Sequence, residues 1–156
     1  LAVCLGDRRA IGRGVVQMDG RAWTLPAEML QGAMKAEPAW CARLMRYTEA
    51  VLAMVVQVMA CNAVHAIEQR YCRLLLTWRD QADGHLVPLT QDFAARSLGL
   101  DRTSLAPISR RLQEEGAIVV RHGRIAIEKP EAVLARSCGC YALARRRFAA
   151  LRSERD

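Results

Sequence analysis

The chain has 156 residues, of which 52% are hydrophobic but only 5% aromatic, so aliphatic side chains and Met must fill a core of one domain or two small ones. A net charge of +7 with a pI near 9.5 favours a polyanionic partner. Six cysteines, at positions 4, 41, 61, 72, 138 and 140, are scattered through apolar surroundings; this excludes a small disulfide scaffold and fits a reduced, cytoplasmic setting.

Residues 1–25 are poor in helix signals and contain four glycines. Gly14 to Leu25 reads as a β-hairpin turning at Asp19-Gly20. Pro26 to Met34 can form a short helix with Pro26 in its first turn. Pro38 then opens a long helix that runs beyond Ala60. Its apolar positions fit a heptad with Leu44, Val51 and Val58 at a and Tyr47, Met54 and Cys61 at d, the pattern of a parallel dimer stem. The alternative is an amphipathic helix packed on its own domain, because Val55, Val56 and Met59 widen the stripe. Val51 to Val64 is too short for a membrane span and contains Gln57 and Asn62, so no membrane partner is expected. No signal peptide is evident.

A further helix covers Asn62 to Asp80, with Ile67, Tyr71, Leu74, Leu75 and Trp78 inward and Glu68, Arg70 and Arg73 outward. Asp83-Gly84-His85 ends it, and Leu86-Val87 can add a short strand. Leu89 to Gly116 then reads as two short helices joined by a tight turn. Thr90 and Asp101 are N-caps, and Gly99 supplies a left-handed stop. The second helix, 102–115, has Leu105, Ile108 and Leu112 on its buried side and Arg102, Thr103, Ala106 and Arg110 outward. Such a face suits the DNA major groove, although ordinary helical hairpins share these features. Ala117 to Ile127 alternates apolar and polar residues around His122-Gly123, the signature of a hairpin. Helix, turn, helix and basic hairpin together make a winged helix-turn-helix, with Arg121 and Arg124 flanking the wing tip. Glu131 to Ser137 makes a short helix ending in Cys138-Gly-Cys-Tyr141, and the basic remainder is expected to be a frayed tail, with a helix lying along phosphates as the alternative.

The segment from about Ala60 to Tyr141 resembles the C-terminal half of the cyclic-AMP receptor protein/Fnr (Crp/Fnr) family of bacterial transcription regulators. The matching pieces are ACNAVHAIEQRYCRLLLTWRDQ, LTQDFAARSLGLDRTSLAPISRRLQEEGAI, RHGRIAI and CGCY, in the family's order. The resemblance implies a mainly α chain with a small β component. Residues 1–37 would be the remnant of a cyclic-nucleotide-binding-like β-roll with a short helix. Residues 38–61 would form the dimerisation helix, 62–141 the winged helix-turn-helix domain and 142–156 a basic tail. It further implies a homodimer on double-stranded DNA, and RNA polymerase as a partner. The opening Leu, in place of Met, suggests a fragment, an engineered start or an unusual start codon.

Within that frame, Thr90 and Ser104 would hold phosphates through hydroxyls and helix-start N–H groups, with Arg110, Arg111, Arg121 and Arg124 adding salt-dependent attraction. Arg111 points closer to the buried side, with a pair to Glu114 or Glu115 as its alternative. Arg102 is the first choice for reading guanine, with a phosphate clamp as its alternative, and Thr103 can meet a thymine methyl. Thr103 and Pro107 stand where the cyclic-AMP receptor protein has a glutamate and an arginine that contact bases, so the target should differ. Pro107 also removes a helical N–H. Neither the cyclic-nucleotide cassette nor the N-terminal iron–sulfur cysteines are present, so no cofactor is expected. Cys138 and Cys140 are too few for a closed zinc site; they are read as packing the C-terminal turn, with a thiol switch as a weaker alternative. His65 has no ligand-like spacing to them and is read, with Glu68, as a polar contact. No P-loop, Rossmann, GxSxG or HExxH pattern supports an enzyme. The competing reading is a helical dimer that binds a protein partner without specific DNA binding.

Overall fold

The computed structural model describes residues 2–7, 9, 10, 12–82, 86–121 and 123–153. The loop expected at Asp83-Gly84-His85, His122 of the wing turn and Arg155 of the basic tail lie outside the described residues. The chain divides into two units, Leu1–Val56 with Arg147–Asp156, and Gln57–Arg146.

In the first unit a 3-10 helix, Val3–Leu5, ends at Gly6. Helix α1 spans Ala27–Ala36 with Pro26 as its N-cap. The expected hairpin over Gly14 to Leu25 does not form: the described residues there belong to no strand. Val16 and Trp23 are 87% and 97% exposed, so the segment lacks the apolar burial that an isolated hairpin needs to persist in water. Helix α2 is a single helix, Pro38–Val64, and the division between the units falls inside it. Arg147 Nη1 lies 3.0 Å from Glu49 Oε1.

The heptad reading of α2 needs correction at one end. Leu44, Val51, Met54 and Val58 are half-buried and Tyr47 is exposed, but Cys61 is 0% exposed within its own chain and cannot serve a seam between copies. The apolar side chains most open on this helix include Leu52, Val55, Val56 and Met59, at i, i+3, i+4 and i+7. By length and composition α2 is also apolar enough to cross a membrane, which revises the sequence reading that no stretch qualifies. Its last turns nevertheless serve the protein interior: Cys61 is enclosed, and Gln57 Nε2 donates to Cys140 Sγ at 3.0 Å.

The second unit begins with the end of α2 and continues into α3, Ile67–Arg79. The N–H of Ala66 donates to Gln69 Oε1 at 3.2 Å, which holds the start of α3. Helix α3 is covered on more sides than its periodicity indicates. Arg70 and Arg73, expected outward, are buried with Tyr71, Cys72 and Leu74 to Leu76. Arg70 Nη1 donates to the Asn62 carbonyl at 3.2 Å, so its stem can pack while its head is bonded. Strand β1, Leu86–Val87, leads to helices α4, Gln91–Ser97, and α5, Arg102–Glu114. Strands β2, Ile118–Arg121, and β3, Arg124–Ile127, complete an antiparallel sheet of order β1-β3-β2. Helix α6 spans Pro130–Arg136.

The core draws Leu75 from α3, Leu105 and Leu112 from α5, Ile118 and Ile125 from the sheet and Val133 from α6. Fully burying one such side chain stabilises by about 1.5–3 kcal/mol, so these few positions fix how the helices sit on the sheet. Trp78 meets Phe93 edge-on with centroids 5.5 Å apart, joining α3 to α4. Glu68 pairs with Arg111 of α5 and, at 3.4 Å, with Arg136 of α6. Glu68 is thus the partner of Arg111, in place of the neighbouring Glu114 or Glu115. Among the described residues the basic remainder is helical: α7 spans Cys140–Ser153. At its start the Tyr141 hydroxyl donates to Asp80 Oδ2 at 2.9 Å.

Candidate nucleic-acid interface

Two capped helices and two glycine stops build the helix-turn-helix. Thr90 Oγ1 accepts the Phe93 N–H at 3.1 Å and starts α4. Gly99, at φ +69°, ends it: its own N–H donates to the Arg96 carbonyl and that of Leu100 to the Ala95 carbonyl. This 6→1 and 5→2 pair is a Schellman stop, which a side chain at Gly99 would strain. Asp101 then starts α5 by accepting the Ser104 N–H at 2.7 Å, and the Thr103 hydroxyl donates to the same oxygen at 2.7 Å. These bonds, the Ser104 N–H first, hold the Asp101 carboxyl below its ordinary value. Gly116, at φ +66°, ends α5 with the same motif through Gly116 to Gln113 and Ala117 to Leu112.

The buried side of α5 is Leu105, Ser109 and Leu112. Ser109 takes the position expected for Ile108, which is only half-buried, because Gln91 Nε2 donates to the Ser109 hydroxyl at 2.9 Å and satisfies it inside. Arg102, Thr103, Ser104, Pro107 and Arg110 are exposed, while Ala106 is half-buried. Pro107 lies within a continuous helix, so the missing N–H leaves α5 intact. Arg102 Nε lies 3.7 Å from Asp92 Oδ1, with side chains 69% and 52% exposed. An exposed pair of this kind contributes about 0–1 kcal/mol, so Arg102 can leave Asp92 at small cost.

The wing closes on the start of α4. Arg121 faces Arg124 across the turn, both exposed, and Gly123 adopts φ +75°. A Cβ at Gly123 would stand 3.4 Å from Thr90 Cγ2, so the wing tip and the α4 start are neighbours. Thr90 and the wing arginines therefore line one surface. The caps take the N–H groups of Phe93 and Ser104, while the Thr90 and Ser104 hydroxyls and the preceding N–H groups of the first turns remain to face a phosphate.

Away from this surface the structure joins residues the sequence keeps apart. Cys61 and His65, one turn apart at the end of α2, meet Cys138 and Cys140. Their four ligand atoms all lie within 4.8 Å of one another. His65 thus belongs with the two C-terminal cysteines, contrary to its reading as a contact of Glu68. The i, i+4 spacing of Cys61 and His65 was the one sequence signal of this cluster, and it needed Cys138 and Cys140 to give it meaning.

Capped helix, tight turn, amphipathic second helix and antiparallel wing define a winged helix-turn-helix, a class of DNA-binding domain. Residues 69–136 match the family model of the Crp-like helix-turn-helix domain. The chain is also similar to a crystal structure of a Crp/Fnr-family transcriptional regulator from Eubacterium rectale ATCC 33656. The identity is 24% and the TM-score 0.52, over 72% of this chain and 52% of that one. That likeness shows the fold, and this chain spans about half the length of that protein. No curated protein sequence matches the chain.

Proposed function

We propose that this protein is a Crp/Fnr-type transcription regulator that binds double-stranded DNA sequence-specifically as a homodimer, with α5 in the major groove. One observation carries the reading: α5 buries Leu105, Ser109 and Leu112 and leaves Arg102, Thr103, Pro107 and Arg110 open. Arg102 would pair with guanine O6 and N7, and the Thr103 methyl would meet thymine, since its hydroxyl is held by Asp101. Thr90, Ser104, Arg110, Arg121 and Arg124 would take phosphates and set the register.

The dimer would form along α2. The exposed stripe of Leu52, Val55, Val56 and Met59 supports this, with Tyr47 and the half-buried Leu44, Val51, Met54 and Val58 beside it. A second copy would remove these apolar side chains from water and pair two heads at half-sites about 34 Å apart. The cytoplasm fits six free cysteines and a DNA partner. RNA polymerase would be met at the bound promoter.

Selection from a randomised duplex pool tests the proposal. It should enrich a two-fold symmetric motif, and absence of enrichment would favour a protein-binding role. Val56→Glu should shift the chain to monomer in analytical ultracentrifugation and weaken binding to that motif.

A further inference from the structure

The sulfur and nitrogen atoms gathered at the end of α2 have the dimensions of a mononuclear metal centre. Cys61 Sγ lies 3.5 Å from Cys138 Sγ, and Cys140 Sγ lies 3.7 Å from His65 Nδ1. A tetrahedral zinc ion with Zn–S near 2.3 Å and Zn–N near 2.0 Å sets S···S edges of about 3.8 Å and S···N edges of about 3.6 Å. These two edges match within a few tenths of an ångström, and all four atoms lie within 4.8 Å of one another. An iron–sulfur cubane binds each thiolate to a different iron and spreads its sulfurs farther than a 4.8 Å cluster allows.

The surroundings are also those of a structural site. Cys61, Cys138 and Cys140 are buried and His65 is half-buried. Gln57 Nε2 donates to Cys140 Sγ at 3.0 Å, the outer-shell bond that stabilises a coordinating thiolate. Cys61 lies in the last turn of α2 and His65 directly follows that helix, where its N–H still donates to the Cys61 carbonyl at 3.1 Å. Cys138 and Cys140 flank Gly139 at the start of α7, where the Tyr141 N–H donates to the Cys138 carbonyl at 3.2 Å. Three thiols and an imidazole in tetrahedral reach are a donor set that selects zinc among the common divalent ions.

We propose that Cys61, His65, Cys138 and Cys140 form a Cys3His site for one zinc ion that staples the end of α2 to the start of α7. The ligands bracket the whole winged helix-turn-helix in sequence, so the ion ties the domain's entry to its exit. Its binding free energy then becomes folding free energy of that domain.

The test uses the full chain purified under reducing conditions. Elemental analysis should find about one zinc per chain, as four ligands from one chain require. Cobalt(II) in its place should give thiolate-to-cobalt charge transfer and the intense visible bands of a tetrahedral centre. Cys138→Ser and His65→Asn should lose stoichiometric zinc, whereas Cys41→Ser should keep it. Gln57→Leu should retain the site with affinity lowered about tenfold. Chelation should lower the melting temperature of the wild type but not of Cys138→Ser. The cobalt spectrum reads the wild type alone, so it holds even where a variant fails to fold. A reduced wild type without bound metal or cobalt bands would overturn the proposal. So would iron with acid-labile sulfide, or full zinc in both ligand variants.

Discussion

The wing arginines give a prediction whose size can be worked out beforehand. Arg110 on α5 and Arg121 and Arg124 on the wing are exposed, and the two wing residues face each other across a turn that touches Thr90. Two copies of these three side chains make about six phosphate contacts, so log K should fall against log salt with a slope of about −5. Replacing Arg121 with Ala removes one contact per copy and should reduce the slope to about −4. Between 50 and 200 mM salt the wild type should weaken about a thousandfold and the variant roughly a hundredfold. Fluorescence anisotropy on a selected duplex across a salt series measures both. Arg121→Lys, which keeps the charge, should restore the wild-type slope. If Arg121→Ala lost affinity equally at every salt concentration, the side chain would be acting through wing structure and the phosphate assignment would be wrong.

Other consequences concern the scaffold. Gly99→Ala should cost about 1 kcal/mol in urea unfolding, because φ +69° is strained for a side chain although nothing stands within 4 Å of the added Cβ; Gly99→Asn should cost less. Leu112→Ala should cost about 2–5 kcal/mol, since this side chain is fully buried; a loss under 1 kcal/mol would mean that the α5 core face is wrong. The Asp101 carboxyl is held below its ordinary 3.8, so its capping contribution is present above that pH and disappears as pH falls through the lower folded value. Asp101→Asn should remove that acid-side dependence of stability while keeping a cap, as thermal melts between neutral and strongly acid pH would show.

The helix-turn-helix and its wing were legible in the sequence because their signals are local. Thr90 and Asp101 cap the helices that follow them, Gly99 stops the first at positive φ, and the alternation about Gly123 becomes the wing. Features that depend on distant partners were not legible. The Gly14 to Leu25 segment has a hairpin's pattern but buries too little to hold one. Ser109 reads as polar until Gln91 satisfies it in the core. Arg70 reads as a surface residue until the Asn62 carbonyl accepts its guanidinium. The cysteine–histidine cluster needed Cys61 and Cys138, 77 positions apart, to be folded against each other.

The central claim is that the open face of α5 reads bases, and Arg102 tests it most directly. Motifs selected from a random duplex pool by the wild type and by Arg102→Ala should share their length and symmetry. They should differ at one base pair in each half-site, where the variant loses about 1–3 kcal/mol of discrimination. Identical motifs, with affinity lowered equally for every sequence, would contradict the account and make Arg102 a phosphate contact.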